Sequence, residues 1–290
     1  MEEISVKAYG KVNLCLDVLG VLPNGYHEVS MIMQTVDLYD VVTVKKSAEP
    51  GIRVTCDKGD VPEGPENLAY RAADALLWEA GIDPALDIHI QKNIPVAAGM
   101  AGGSTDCAAV LDAVNILFDL KRSRKALQRI GVKLGADVPY CLMGGTALSE
   151  GIGEILSTLP EPPKCVVVLA KPDLHISTKY VYDHLDLSVV THPPVKAMLE
   201  DLEKGDLTGL CSHMGNVLES VTGPEHPEVG KIEEIMKNEG ALQAVMSGSG
   251  PTVFGIFEDA GKAEKAKESI LASGLSKEVF VSRFTTPERN

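Results

Sequence analysis

From Val12 to Val18 the chain alternates strictly: Val12, Leu14, Leu16 and Val18 are apolar, and Asn13, Cys15 and Asp17 fall between them. A period of two is the signature of a half-buried strand, and it puts Lys11 on the polar face with Asn13. Pro23-Asn24-Gly25 supplies a turn, and residues 41–44 and 52–55, rich in Val, Ile and Thr, predict further strands. Asn67 stands as an N-cap before a helix through Leu68, Ala72, Leu76 and Trp78, which Gly81 can end in the left-handed conformation. A strand is predicted over 87–91. Small residues then take over from Pro95 to Gly103 and feed a helix with Ala108, Leu111, Val114 and Phe118 on one face.

A second helix is predicted over 123–134, a loop over 135–139 and a hairpin around Gly151-Ile152-Gly153. Pro160-Glu161-Pro162-Pro163 breaks the pattern and marks the expected boundary between domains 1–160 and 161–290. Beyond it the patterning predicts a strand at 165–169 and helices at 177–184, 194–204 and 232–238. Strands at 244–246 and 252–257 flank a glycine turn, followed by a helix at 261–272 and a strand at 278–284. Strands and helices mix without regular βαβ alternation, which predicts an α+β fold in two lobes.

Composition adds one constraint. The chain is 44% hydrophobic and 23% charged, ordinary for a globular protein, but its net charge is −14. Such a body repels nucleic-acid backbones, so an anionic ligand must be met locally by lysines, backbone N–H groups or metal ions. The six cysteines form neither a CxxC pair nor a zinc-type cluster, and read as buried thiols in a reducing compartment. The N-terminus lacks the basic and apolar regions of a signal peptide, and no apolar run approaches a membrane span. The expected location is cytoplasmic, with no membrane partner.

The run Pro95-Val96-Ala97-Ala98-Gly99-Met100-Ala101-Gly102-Gly103-Ser104-Thr105 is the most informative. Small residues admit a ligand to the backbone, and the following helix offers N–H groups and the positive end of its dipole. The run either cradles phosphate, with Ser104 or Thr105 as hydroxyl donors or Mg²⁺ ligands, or is a flexible loop whose glycines serve helix packing. It is not a P-loop, since no Gly-Lys-[Ser/Thr] follows, and the protein-kinase motifs are missing from the sequence. Asp137, in Gly-Ala-Asp-Val-Pro, either takes a proton from a substrate hydroxyl or caps a turn or helix. Lys11 either neutralises a transferring phosphoryl group or is a solvated strand lysine. Tyr26 and His27 either stack on a flat ring or cover the core, and Ser247-Gly248-Ser249-Gly250-Pro251-Thr252 either lines a phosphate site or joins two strands.

In combination, the loop from Pro95 to Thr105 and the Ser-Gly-Ser-Gly-Pro-Thr run resemble the phosphate loop and C-terminal glycine motif of the GHMP small-molecule kinases. Ala101 stands where that superfamily often has Gly. Lys11-Val12-Asn13-Leu14, Asn24-Gly25-Tyr26-His27, Gly135-Ala136-Asp137-Val138-Pro139 and Glu150-Gly151-Ile152-Gly153-Glu154 resemble its branch that acts on 4-diphosphocytidyl-2-C-methyl-D-erythritol. The resemblance implies a ribosomal-protein-S5-like N-terminal lobe and a ferredoxin-like C-terminal lobe, with the active site in the cleft between them. It implies ATP-dependent phosphorylation of the substrate's 2-hydroxyl, in the methylerythritol phosphate route to isoprenoid precursors.

By the same resemblance Asp137 is the base and Lys11 its electrostatic partner. The loop holds the phosphates of ATP, taken up with Mg²⁺, and Asn67-Leu68 lies near adenine. Asn13, Tyr26 and His27 contact the cytidylated substrate, with Tyr182 on the far side of cytosine and Tyr180 as its rival. Oligomeric state stays open between monomer and homodimer. Two alternatives remain: a kinase of homoserine or mevalonate type, whose substrate has no use for a ring-stacking pair, and a non-catalytic nucleotide-binding protein.

Overall fold

A computed structural model describes residues 1–23, 25–59 and 61–287, so Asn24 of the expected turn lies outside the described residues. Two compact units emerge, each discontinuous in sequence. The first comprises Met1–Gly10, Leu38–Val96 and Ala101–Met143; the second comprises Lys11–Asp37, Ala97–Met100 and the chain from Gly144 onward. The boundary expected near 160 falls inside the second unit. Strands β1 (Glu3–Val21) and β2 (His27–Lys46) each pass from one unit into the other.

In the first unit, β3 (Gly51–Cys56) runs parallel to β4 (Ala85–Gln91), which pairs antiparallel with the C-terminal part of β2. Between them lies α1 (Leu68–Ala80), capped by Asn67 and ended by Gly81 at φ +68°. Trp78, within the predicted helix, is 83% exposed. It sits roughly 200° round the helix from Leu76, off the buried face of Ala69, Ala72, Ala73, Leu76 and Leu77. That face packs on α2 (Gly102–Leu117), which is buried nearly all round and stops before Phe118. Helix α3 (Arg124–Gly131), capped by Ser123, is shorter than predicted, giving way to turns. Helix α4 (Val138–Met143) begins inside the expected loop, with Pro139 in the first turn, where its missing N–H costs no bond.

In the second unit, β5 (Thr146–Gly151) pairs antiparallel with β2 and with β6 (Ile155–Thr158), forming the hairpin expected at 151–153. Strand β7 (Val166–Pro172) is followed by α5 (Thr178–Asp183), α6 (Val195–Lys204), α7 (Leu207–His213), β8 (Gly215–Asn216), α8 (Glu219–Glu225) and α9 (Pro227–Asn238). The chain closes with β9 (Gln243–Met246), β10 (Val253–Phe257), α10 (Ala260–Ser273) and β11 (Ser276–Ser282). An antiparallel sheet in the order β11-β7-β10-β9 carries α9 and α10. Strand β8 runs parallel to β1, with Cys15 opposite Gly215 and Leu16 opposite Asn216.

Two readings of the long strands change. Lys11, Asn13 and Asp17 are buried along with their apolar neighbours, so β1 is covered on both faces instead of one. Val29 to Val36 of β2 is buried without a break, so no alternation announces that stretch. The cysteines are free thiols, and no described helix is long and apolar enough to cross a membrane.

Candidate active site

Strand pleating puts Lys11 and Asn13 side by side in the second unit, and burial then forces their polar groups to find partners. Lys11 is only 5% exposed, and its Nζ donates to Asn13 Oδ1 at 2.8 Å and to the Gly99 carbonyl at 3.3 Å. Its backbone N–H donates to the Met100 carbonyl at 3.1 Å. The solvated alternative for Lys11 therefore fails: the ammonium is held against the loop segment 97–100. The Gly99 carbonyl also accepts from Ser247 Oγ at 3.0 Å, and Ser247 Oγ accepts from the Asn13 N–H at 3.3 Å. The glycine turn at 247–250 joins β9 to β10 as a hairpin, with Met246 opposite Val253, and it also walls this loop segment. The strand-joining reading of that turn holds.

The loop continues into the first unit at Ala101. Ala97 and Ala101 hold φ of +52° and +59°, left-handed backbone that glycine adopts more readily. Ala101 precedes α2 without a side-chain cap, so the opening N–H groups of this 16-residue helix have no capping oxygen from it. Such a terminus suits an anion. Thr105 is buried and its hydroxyl donates to the Tyr9 carbonyl at 2.7 Å, which commits that proton to packing. Ser104, half-buried, is the remaining hydroxyl of the pair.

Beneath this terminus lies a buried ion cluster that the sequence did not announce. Lys92 Nζ is 2.5 Å from Asp40 Oδ2 and 2.7 Å from Asp106 Oδ2, and Asp40 Oδ1 accepts from the N–H groups of Asn93 and Ile94. The segment 92–94, between β4 and Pro95, is thereby tied to β2 and α2. A Cβ on Gly102 would come within 3.3 Å of Lys92 Nζ. Burial pulls the Lys92 pKa down, but the two carboxylates raise it by more. Burial pushes Asp106 up to about 7, with Lys92 opposing and Asp40 adding to the rise.

Asp137, half-buried, immediately precedes α4, and its carbonyl accepts from the Cys141 N–H at 2.9 Å. It thus occupies the helix-capping position. Its turn lies beside Ser104, whose Oγ is 3.6 Å from where a Gly135 Cβ would stand. Asn67 spends its side chain on capping, accepting from Ala69 N–H at 2.8 Å and donating to the Pro62 carbonyl at 2.6 Å. Leu68 reaches 3.8 Å from the Cβ position of Gly103, which puts 67–68 next to the start of α2.

In the second unit the His27 ring lies 4.9 Å from that of Tyr182, tilted by 45°. Tyr180 is turned elsewhere, stacked on His184 at 3.9 Å with its hydroxyl donating to Glu225. Tyr26 is 60% exposed.

Residues 67–145 match the GHMP kinases N terminal domain family, and residues 198–275 match the GHMP kinases C terminal family. Fold and sequence together define a GHMP kinase of mixed α+β type. The chain is 48% identical over 285 residues to the 4-diphosphocytidyl-2-C-methyl-D-erythritol kinase of Lachnoclostridium phytofermentans, covering 98% of each. A crystal structure of 4-(cytidine 5'-diphospho)-2C-methyl-D-erythritol kinase matches with a TM-score of 0.83 at 32% identity, covering 98% of this chain and 100% of that one. The homoserine kinase of Cytophaga hutchinsonii matches with a TM-score of 0.80 at 20% identity, covering 99% and 95%, a likeness of fold alone. The chain belongs to the 4-diphosphocytidyl-2-C-methyl-D-erythritol kinase family.

Proposed function

We propose that this protein transfers the γ-phosphoryl group of ATP to the 2-hydroxyl of 4-diphosphocytidyl-2-C-methyl-D-erythritol, with Asp137 as base and Lys11 as the electrostatic partner. The observation that carries the reading is the buried Lys11 ammonium, held by Asn13 and by the carbonyl of Gly99 within the small-residue loop. Phosphoryl transfer asks a protein mainly to position reactants and to offset charge. Both substrates are polyanions and the chain carries −14, so the offset has to be local. The α2 terminus with Gly102 and Gly103 receives ATP phosphate oxygens, and Lys11 lies on the strand that meets the same loop. Asp137 takes the hydroxyl proton as the oxygen attacks.

Mg²⁺ fits this donor set through hard oxygen ligands: the Ser104 hydroxyl on the first turn of α2, together with the phosphates of ATP. Among the described residues no group of three or more His, Cys, Asp or Glu could hold a metal ion by itself. When bound, the ion would neutralise β- and γ-phosphate charge. The His27–Tyr182 pair supports a substrate that carries a flat base, which homoserine and mevalonate lack.

An assay of ADP release with ATP and Mg²⁺ tests the reading against homoserine, mevalonate and the uncytidylated methylerythritol phosphate. Turnover confined to the cytidylated alcohol is expected, and turnover of another alcohol alone would discard the substrate. Asp137→Asn is expected to lose about 10² to 10⁴ in kcat while keeping its KM for ATP. Near-normal turnover in that variant would remove Asp137 as the base.

A further inference from the structure

Asn216, Glu219 and Thr222 recur at intervals of three along the entry to α8, and each holds backbone of the segment 246–249. Asn216 Nδ2 donates to the Met246 carbonyl at 2.8 Å and to the Gly248 carbonyl at 2.7 Å, while its Oδ1 accepts from the Leu218 N–H at 3.0 Å. Glu219 Oε2 accepts from the Met246 N–H at 3.3 Å, and Thr222 Oγ1 donates to the Ser249 carbonyl at 3.3 Å. Two carbonyls at hydrogen-bond distance from one terminal atom require an NH₂ group, so the position calls for an amide. A carboxylate of the same shape would face two acceptors.

Ser247, between the two clamped carbonyls, bridges the Asn13 N–H and the Gly99 carbonyl, the same carbonyl that receives Lys11 Nζ. Asn216 is itself registered on β1, opposite Leu16, on the strand that carries Lys11 and Asn13. We infer that Asn216 is a positioning residue for phosphoryl transfer, with Thr222 in support. It fixes the 246–249 backbone so that Ser247 holds the Gly99 carbonyl where that carbonyl orients the Lys11 ammonium. The inference rests on the proposed role of Lys11 in turnover.

The test is a double-mutant cycle between Asn216→Asp and Lys11→Ala, read as kcat with thermal melting as a check on folding. Asn216→Asp keeps the size and the acceptor for Leu218 but removes both donors. It is expected to lower kcat about 10- to 100-fold, and to cost less than about threefold more once Lys11 is alanine. If Asn216→Asp does not fold, Thr222→Val removes one donor at constant shape. Its expected loss is about 3- to 10-fold, with the same dependence on Lys11. Full turnover in the folded single variant, or losses that multiply independently with Lys11→Ala, would overturn the relay. Wild-type turnover of the cytidylated alcohol is measured alongside. Its failure would count against the proposed function, and the cycle would then be run on whichever alcohol is phosphorylated.

Discussion

Gly99 and Ser247 meet so closely that a Cβ on Gly99 would fall 2.2 Å from the Ser247 carbonyl oxygen. Gly99 also sits at φ +71°, so both the contact and the backbone exclude a side chain. Gly99→Ala must push the two glycine-rich segments apart and carry the Lys11 acceptor with them. The expected outcome is a loss of about 1–3 kcal/mol in urea unfolding, together with a fall in kcat/KM for ATP. Wild-type kinetics with wild-type stability would show that the contact yields freely.

Lys92 separates two buried acids, Asp40 and Asp106. Lys92→Met leaves them without a cation, and the expected cost is about 3–5 kcal/mol by urea titration near neutral pH. A loss below about 1 kcal/mol would mean that the acids take up protons and tolerate each other.

The ring pair separates two tyrosines that the family resemblance leaves as rivals. His27→Ala and Tyr182→Ala are each expected to raise KM for the cytidylated substrate about tenfold and leave KM for ATP in place. Tyr180→Ala is expected to change that KM less than about twofold, since its ring stacks on His184 instead. Equal effects of Tyr180 and Tyr182 would reject the assignment.

Glu233 gives the protein a pH signature. Burial, reinforced by the hydrogen bond and charge of Glu219 and opposed by Lys237, pushes its carboxyl from 4.5 up to about 9. Between those values the folded state holds a proton that the unfolded chain has released, so unfolding free energy from this group falls as pH rises. Its contribution is fullest below the unfolded value. Melting temperatures of Glu233→Gln and wild type should therefore diverge in favour of the variant between pH 6 and about 9. Parallel curves would return Glu233 to an ordinary surface-like carboxylate.

Much of this was legible because local chemistry and tertiary structure agree. Asn67 and Gly81 bound α1 as a cap and a left-handed stop, and the glycine turn at 247–250 joins two strands whose apolar patterns announced them. What escaped reading depends on burial set by distant residues. Lys11 looks solvated in a period-two pattern, yet it is buried with its ammonium on Asn13 Oδ1 and the Gly99 carbonyl. The Lys92 cluster joins positions 40, 92 and 106, and nothing in their spacing says so. Helix α8 spans seven residues with Gly223 and Pro224 inside it, too short and too poor in helix formers for periodicity to show.

Strands β1 and β2 are 19 and 20 residues long, and each belongs to both units. No single cut can therefore yield either half intact. Cleavage after Met143 leaves Lys11–Asp37 and Ala97–Met100 on the wrong fragment, and cleavage near 160 strands the same segments. Exchange of one half between relatives, by recombination or in the laboratory, would need several crossovers placed within strands and within the small-residue loop at 97–101.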